Sequence, residues 1–192
     1  MKIIITGGAG FIGKHLVEFL TEKENDITIF DNFSNSSYES TTYLKKLGVK
    51  IIKGDIRKIE EINSAVKGHE VMIHLAAKIS VDESIKNPSE TFQTNVEGTK
   101  NVLIACKENK VRKIIASSSA AVYGESEIDV KLTEKSKIKP ISPYGESKIR
   151  MENEIRKFSE NQNIEYTILR FFNIYGKNQS PEYAGVITKF IR

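Results

Sequence analysis

The sequence is poor in several features that would point to particular classes of protein. Its 192 residues include no Trp and one Cys, so Cys106 cannot form a disulfide within the chain. Apolar residues precede Cys106 directly, and we expect a small buried side chain in a reducing compartment. No apolar run approaches the roughly 20 residues of a membrane helix, and no export leader is recognisable. We therefore expect a cytoplasmic protein without membrane partners.

Two further absences concern ligands. His15, His69 and His74 lack the spacing or the partners of a zinc site, so we expect no bound metal. The net charge is +4, charges of both signs are mixed, and the chain has no basic tail or basic–aromatic stripe. We expect no nucleic-acid partner, while the modest positive balance favours small anionic ligands.

Short apolar runs alternate with helix-like patterns along a chain long enough for one domain. Runs rich in Ile and Val are typical of strands buried on both faces of a sheet. The alternation predicts an α/β fold, a Rossmann-like doubly wound parallel sheet with helices on both faces. The predicted strands are residues 2–6, 26–30, 49–53, 71–75, 113–117 and 166–170. The predicted helices are residues 10–23, 39–46, 58–67, 88–108 and 143–161.

The first 31 residues carry the most informative motif. An apolar run leads into Thr6-Gly-Gly-Ala-Gly-Phe-Ile-Gly13, a helix-like stretch follows, and a second apolar run ends on Asp31. Strand, glycine turn, helix, strand and acidic residue are the layout of a dinucleotide-binding βαβ unit. The alternative is a glycine-rich turn that only packs a helix on a strand. The acidic residue that closes the second strand favours the dinucleotide site.

Each part of this motif has a physical role. We expect Gly7 to permit the tight turn, Gly10 to let the backbone approach a pyrophosphate, and Gly13 to let the helix pack on the strand. The pyrophosphate would face the positive end of the helix that starts near Gly10. Asp31 would accept hydrogen bonds from the adenosine ribose and repel a 2′-phosphate, which favours NAD over NADP.

A second motif, Tyr144-Gly-Glu-Ser-Lys148, opens the helix predicted after Pro143. Residues four apart share one face of a helix. A free Tyr has a pKa of about 10, so it is a poor base at neutral pH. A lysine ammonium one turn away and a positively charged cofactor ring would stabilise the phenolate and make Tyr144 a general acid and base. The same spacing also occurs in pairs that merely lie on a protein surface.

Ser117, Ser118 and Ser119 stand at the end of the fifth predicted strand. Ligands of parallel sheets bind at the carboxyl ends of the strands, where a serine can hydrogen-bond a substrate hydroxyl and the tyrosine oxygen. A serine-rich turn that only caps the strand is the alternative.

Six segments together resemble a known family. In chain order they are Thr6-Gly-Gly-Ala-Gly-Phe-Ile-Gly13, His74-Leu-Ala-Ala77, Asn95-Val-Glu-Gly-Thr99, Ser119 with Val122-Tyr-Gly124, Pro143-Tyr-x-x-x-Lys148 and Leu169-Arg-Phe-Phe-Asn-x-Tyr-Gly176. By these motifs the chain resembles the extended short-chain dehydrogenases/reductases, in their NAD-dependent epimerase/dehydratase group. The resemblance covers essentially the whole sequence.

The resemblance implies roles for particular residues. The catalytic residues would be Ser119, Tyr144 and Lys148, with the third serine chosen because its spacing to the tyrosine fits the family. Ser119, Tyr144 and Asn173 would bind the substrate, with Asn173 near its diphosphate. The residues that would bind NAD are Gly7, Gly10, Phe11, Ile12, Gly13, Asp31, Asn32, Phe33, Ser34, Asn35, Ser36, Asp55, Ile56, Leu75, Ala76, Ala77, Thr94, Asn95, Tyr144, Lys148 and Phe172.

The implied reaction is C4 epimerisation of a nucleotide sugar of the UDP-glucose or UDP-galactose type. Tyr144 would take the proton of the sugar 4-hydroxyl while hydride passes from C4 to NAD. The transient 4-keto sugar would turn over, and hydride would return to its opposite face. Lys148 would tune Tyr144 and bind the nicotinamide ribose, and NAD would stay bound like a prosthetic group.

Other reactions of the group remain as alternatives: reduction, dehydration and decarboxylation of a nucleotide sugar. In the family, dehydratases carry an Asp-Glu pair directly after the active-site hydroxyl residue, and decarboxylases keep the Glu. This sequence has Ala120 and Ala121 there. A methyl group cannot relay a proton, so the two alanines favour plain epimerisation.

The last residues raise a separate expectation. Residues 182–192 have the spacing of an amphipathic helix but stop without a capping residue, so the helix either frays there or the chain was cut. We favour a cut, with an NAD-binding domain over residues 1–176 and an incomplete substrate-binding region over 177–192. Such a chain would retain NAD binding better than turnover, and a non-catalytic NAD-binding fragment is the alternative from another class. By analogy with the family, residues 88–108 and 143–161 would form a homodimer interface.

Overall fold

The computed structural model describes residues 1–36, 38–125, 131–177 and 179, with residues 38–40 described by their backbone only. The helix predicted over residues 182–192 lies outside these residues. Within them, no helix is both long and apolar enough to cross a membrane.

Six strands form one sheet at the centre of the molecule. They are β1 Lys2–Thr6, β2 Asp26–Asp31, β3 Lys50–Lys53, β4 Val71–His74, β5 Lys113–Ser119 and β6 Glu165–Phe171. All neighbours pair in parallel, in the order β3-β2-β1-β4-β5-β6. The order reverses between β1 and β4, and ligands of such sheets bind at this reversal. The predicted doubly wound Rossmann-like fold is confirmed.

Isoleucines and valines let these strands bury both faces. Along β1, Ile4 belongs to one apolar cluster, while Ile3 and Ile5 belong to the cluster on the opposite face. Helices cover each cluster, as expected for strands that read as continuous apolar runs. The helices are α1 Phe11–Glu22, α2 Tyr38–Lys46, α3 Ile59–Val66, α4 Val81–Lys86, α5 Pro88–Phe92, α6 Gly98–Glu108 and α7 Pro143–Gln162.

The long helix predicted over residues 88–108 is interrupted. The π-helical turn Gln93–Glu97 separates α5 from α6, and the short helix α4 precedes them. Helix α4 escaped prediction because six residues are too few to show a helical period. Its start is nevertheless capped by Ser80, whose side chain accepts a hydrogen bond from the backbone N–H of Glu83.

Strand β5 and helix α7 place the second motif. Strand β5 runs two residues beyond its predicted end, because Ser119 still pairs with Phe171 of β6. Helix α7 begins with Pro143 at its first position, and the Ser142 side chain accepts a hydrogen bond from the N–H of Gly145 at 3.1 Å. The helix ends at Asn163, whose φ of 52° is left-handed.

Candidate functional site

A cavity of about 450 Å³ opens at the carboxyl ends of the strands. It brings together residues from five of the six segments that carry the resemblance. No residue of the segment Asn95–Thr99 lines it, although the preceding Thr94 does. The predicted site residues that line it are Gly7, Gly10, Phe11, Ile12, Gly13, Asp31, Asn32, Ser34, Asn35, Ser36, Asp55, Ile56, Leu75, Ala76, Ala77, Thr94, Ser119, Tyr144, Lys148, Phe172 and Asn173.

Two predicted contacts fall outside this lining. Phe33 turns away with a left-handed φ of 61° and packs on the apolar cluster of β1 and β2. Asn95 is 1% exposed inside the π-helical turn, where its side chain hydrogen-bonds the backbone of Lys78. Its geometry therefore supports a role behind the cavity wall, in place of the predicted direct contact.

The glycine turn is built so that backbones approach closely. Gly7 has a φ of 70°, and a Cβ there would lie 2.6 Å from the backbone nitrogen of Ala76. A Cβ at Gly13 would lie 2.5 Å from the carbonyl oxygen of Gly8. Gly13 thus lets α1 approach the turn itself, whereas we predicted that it packs the helix on the strand.

The start of α1 suits an anion. Among the residues described, no side chain caps this helix and no acidic residue stands in its first turn. The backbone N–H groups there are therefore left for a phosphate, and the helix dipole favours negative charge at this end. Gly10, which has no Cβ, lines the cavity at this point.

Asp31 both faces the cavity and ties two loops together. Its carboxylate accepts hydrogen bonds from the N–H of Ala9 at 2.9 Å and from the N–H of Phe33 at 2.8 Å. Burial raises the pKa of Asp31, and these two hydrogen bonds oppose the rise. The residue is 8% exposed and lines the cavity, so the acceptor positions that these two bonds leave unused can serve a ligand.

Sequence reasoning missed several residues that line the cavity. Arg57 was detectable, because it follows the predicted contact Asp55 by two residues and can pair with it. The two side chains form an ion pair of 2.6 Å, and the hydrogen bond from Arg57 lowers the pKa of Asp55. The missed residues are Phe30, Gly54, Arg57, Lys78, Ile79, Glu90, Ser117, Ser118, Phe171, Ile174 and Gln179.

Ser119, Tyr144 and Lys148 meet at the other end of the cavity. Burial raises the pKa of the half-buried Tyr144, while a hydrogen bond with the Ser119 side chain opposes the rise. The Lys148 ammonium lies 6.0 Å from the centre of the Tyr144 ring. The protein residues alone therefore leave the pKa of Tyr144 raised, and the lowering that we expect needs the positive cofactor ring as well as Lys148.

Lys148 is held in place by the neighbouring strand. Its Nζ donates a hydrogen bond to the carbonyl oxygen of Ser117 at 2.9 Å, and the side chain is 2% exposed. Burial lowers the pKa of Lys148 to about 8, while the charge of Glu152 opposes the fall. The position of the ammonium thus depends on the fit of α7 against β5.

A buried carboxylate secures that fit. Glu152 accepts hydrogen bonds from Ser118 at 2.6 Å, from Arg156 at 2.6 Å, and from Arg170 at 2.9 and 2.7 Å. Burial alone would raise the pKa of Glu152, but the hydrogen bonds from Arg170 and Ser118 hold it below its usual value. Arg170 also donates to the Tyr123 hydroxyl at 3.0 Å. The network joins α7, β5 and β6, and two of these elements carry Ser119, Tyr144 and Lys148.

Acid is expected to destabilise the protein partly through His74. Burial and, secondly, the charge of Lys148 lower the pKa of this histidine from 6.5 to about 3. Between these values the unfolded chain binds a proton that folded His74 does not, so stability falls as the pH falls. The expected slope is about 1.4 kcal/mol per pH unit.

Urea denaturation between pH 7 and pH 4 measures this slope. The variant His74→Gln should lose that share of the pH dependence, while His15→Gln, at an exposed histidine, should keep it. Equal slopes for His74→Gln and the unmodified protein would contradict the assignment.

Known proteins are similar to this chain in sequence and in fold. A model of the NAD dependent epimerase/dehydratase family matches residues 3–192. The chain is similar to a UDP-glucose 4-epimerase of Yersinia enterocolitica, with 40% identity over 94% of this chain and 55% of that protein. It is also similar to a UDP-N-acetyl-alpha-D-glucosaminuronate decarboxylase of Bacillus cytotoxicus, with 36% identity over 100% of this chain and 60% of that protein.

A solved structure of such a relative has the same fold as this chain. The crystal structure of the Thermus thermophilus UDP-glucose 4-epimerase, a complex with NAD, superposes with a TM-score of 0.89 at 32% identity. The match covers 94% of this chain and 58% of that one. The chain thus spans little more than half the length of the relatives it matches, and those relatives catalyse more than one reaction.

Proposed function

Because the chain belongs to the NAD dependent epimerase/dehydratase family, we propose that the whole protein is an isomerase that inverts C4 of a UDP-hexose. The substrate pair we propose is UDP-glucose and UDP-galactose. The observation that carries this proposal is one cavity that joins the glycine turn to Ser119, Tyr144 and Lys148. A cofactor at the turn and a sugar beside Tyr144 would be neighbours there.

NAD is the cofactor of this family, and the residues present fit it. Gly7 has no Cβ, so the turn lies close against the backbone of Ala76. The start of α1 has no side-chain cap, so its backbone N–H groups can bind a pyrophosphate. Asp31 would accept the ribose hydroxyls, and Asp55 with Ile56 would border the adenine. When bound, NAD would supply the reversible hydride transfer that takes the sugar through a 4-keto intermediate.

The side chains of this protein would handle the proton. Tyr144 would remove it from the sugar 4-hydroxyl and return it after the sugar has turned. Ser119 would hold both the sugar hydroxyl and the Tyr144 oxygen, to which it already hydrogen-bonds. Lys148 would keep a positive charge near the phenolate and bind the nicotinamide ribose. Asn173, which lines the cavity, would contact the diphosphate.

The residues after Ser119 favour epimerisation over the other reactions of the family. Ala120 and Ala121 form a short 3-10 turn directly beyond the catalytic serine. Their methyl groups cannot donate or accept the proton that elimination of water requires. Dehydration and decarboxylation would therefore need an acid from elsewhere in the protein.

A proton NMR time course tests the proposal. UDP-galactose and NAD are incubated with this chain and, in parallel, with a chain extended to the length of its relatives, and the anomeric signals are followed. Appearance of UDP-glucose with either chain supports C4 epimerisation. Conversion by the extended chain but not by the 192-residue chain also supports C4 epimerisation, and it shows that turnover needs the added residues. No conversion by either chain contradicts the proposal for this sugar.

Replacement of Asp31 is expected to relax cofactor choice. Asp31→Ala removes the carboxylate that would bind the ribose and repel a 2′-phosphate, so NAD affinity should fall and NADP affinity should rise. Loss of the hydrogen bond to Ala9 also loosens the glycine turn, which adds to the loss for NAD. Titration calorimetry with both dinucleotides measures the ratio of the dissociation constants.

The variant Asp31→Asn is the matched control. It removes the negative charge but keeps one of the two oxygen acceptors, enough for the N–H of Ala9 or that of Phe33 but not for both. Both variants should therefore accept NADP better, while Asp31→Ala should loosen the turn more than Asp31→Asn. An unchanged NAD-to-NADP ratio in both would remove Asp31 from cofactor selection.

A further inference from the structure

His74 is a buried titratable side chain that the proposed chemistry does not use. It ends strand β4 and is 2% exposed. Its Nδ1 lies 2.7 Å from the hydroxyl of Thr6, and its Nε2 lies 2.9 Å from the hydroxyl of Thr99. The imidazole thus bridges β1 to helix α6.

The hydrogen-bond directions define one tautomer. The hydroxyl of Thr99 donates its only proton to the carbonyl oxygen of Asn95 at 2.7 Å. Thr99 must therefore accept from His74, so Nε2 carries the proton. Nδ1 of the neutral ring then accepts from Thr6, whose oxygen in turn accepts from the N–H of Ala76 at 3.4 Å.

One end of this chain of hydrogen bonds is the glycine turn. Thr6 directly precedes Gly7, and the backbone of Ala76 touches Gly7 so closely that no Cβ would fit. Thr6 and Ala76 are thus fixed where the cofactor pyrophosphate would bind. A displacement of His74 would therefore shift both Thr6 and Ala76.

The other end is the catalytic helix. The Asn95 side chain accepts from the N–H of Lys78 at 2.8 Å, and it donates to the Lys78 carbonyl at 3.0 Å and to Ser147 at 2.9 Å. Ser147 donates to the carbonyl oxygen of Tyr144 at 2.7 Å. Asn95 lies in the π-helical turn Gln93–Glu97, a rare conformation that is frequent at functional sites. Thr99 holds this turn through the Asn95 carbonyl.

We propose that His74, as a neutral imidazole protonated at Nε2, is a positioning residue that sets the glycine turn against the Tyr144–Lys148 helix. It acts through Thr99 and Asn95 and touches neither substrate nor cofactor. The part of this inference that concerns catalysis rests on the proposed function. The tautomer and the coupling between the two ends do not, and they are measured without turnover.

The first test is the tautomer in the unmodified protein. A long-range proton–nitrogen NMR spectrum of histidine-labelled protein at pH 8 distinguishes protonated Nδ1 from protonated Nε2. His69 is an internal reference, because its Nδ1 faces the Val66 carbonyl at 3.1 Å and must donate. The neutral rings of His74 and His69 should show opposite tautomers. Protonation of His74 at Nδ1, or a mixture of both forms, would overturn the proposal.

The second test breaks the chain at Thr99. Thr99→Val keeps the shape but removes the hydroxyl, whereas Thr99→Ser keeps the hydroxyl. The matched control is Thr91→Val, because the buried Thr91 also donates to the carbonyl four residues earlier, that of Asn87, at 3.4 Å. Thr99→Val should lower kcat at least about tenfold with KM for the sugar almost unchanged, since small misplacement of a catalytic group is costly. Thr99→Ser should restore kcat, and Thr91→Val should leave it unchanged.

The same variants are compared without substrate. Thr99→Val should shift the His74 ring nitrogens and the ring signals of Tyr144, while Thr91→Val shifts neither. Tyr144 signals that stay in place in Thr99→Val, or that move equally in Thr91→Val, would overturn the coupling. If the ring signals shift as expected but no protein in the series converts UDP-galactose, the proposed function fails and the coupling stands.

Discussion

Replacing Tyr144 with Phe is expected to slow sugar conversion at least about a hundredfold while NAD affinity stays within about twofold. The change removes one oxygen, which the Ser119 side chain holds at the edge of the cavity. Without it the sugar 4-hydroxyl has no positioned base. The glycine turn, Asp31 and Asp55, which would bind the rest of NAD, are unchanged. An NMR time course gives the rate, and calorimetry gives the dissociation constant of NAD.

The matched control is Tyr166→Phe, at an exposed tyrosine near the start of β6. It makes the same chemical change far from the carboxyl ends of the strands and should leave the rate unaltered. A loss of only a few-fold for Tyr144→Phe would show that another group is the base.

The pH dependence gives a second signature of Tyr144. Burial raises the pKa of this phenol in the protein without cofactor, and the fraction of phenolate grows as the pH rises. If Tyr144 is the base, kcat/KM should increase with pH up to the pKa of the free enzyme. The residual rate of Tyr144→Phe should lack this increase.

Replacing Glu152 with Met is expected to lower the free energy of unfolding by about 3–5 kcal/mol, because a buried ion pair loses one partner. Ser118, Arg156 and Arg170 all donate to this carboxylate, which is fully buried, and Arg170 is itself only 11% exposed. Their donors would be left without the acceptor that offsets their desolvation. Urea denaturation of the protein without NAD measures the loss.

Two controls separate the buried network from an ordinary ion pair. Glu154→Gln, on the same helix, weakens an exposed contact with Lys100 and should cost about 0–1 kcal/mol. The double variant Glu152→Met with Arg170→Met removes both charges and should recover a large part of the loss, because no unpaired charge stays buried. A cost for Glu152→Met as small as that of Glu154→Gln would contradict the assigned role.

Local sequence patterns correctly predicted the strands and the glycine turn that surround the site. The alternation of apolar runs and helical stretches predicted all six strands, and the glycine segment with Asp31 predicted the turn at the end of β1. Ser119, Tyr144 and Lys148 are brought to one cavity, as the family resemblance implied. The strands, the glycine turn and the Tyr144–Lys148 pair are readable because each depends on residues close together in the chain. Helix period, capping and strand composition act over a few residues.

Errors arose where the outcome depended on distant packing. The prediction of one helix over residues 88–108 was wrong at Gln93–Glu97, because the π-helical turn is held by bonds from Asn95 to Lys78 and Ser147. The family resemblance implied that Asn95 and Phe33 bind NAD, but neither lines the cavity. Asn95 is buried in the π-helical turn, and the apolar cluster offers the ring of Phe33 a better environment than water does.

By itself, the sequence determined the order of the elements, the parallel doubly wound sheet, the cofactor turn and the Tyr144–Lys148 pair on one helix face. Only the tertiary structure decided that Ser119 meets Tyr144 while Ser118 meets Glu152, which is 34 residues away in the chain. It also decided that His74 meets Thr99, which is 25 residues away in the chain. The physical reason is that a buried polar group must find a partner, and the register between strands and helices decides which one is within reach.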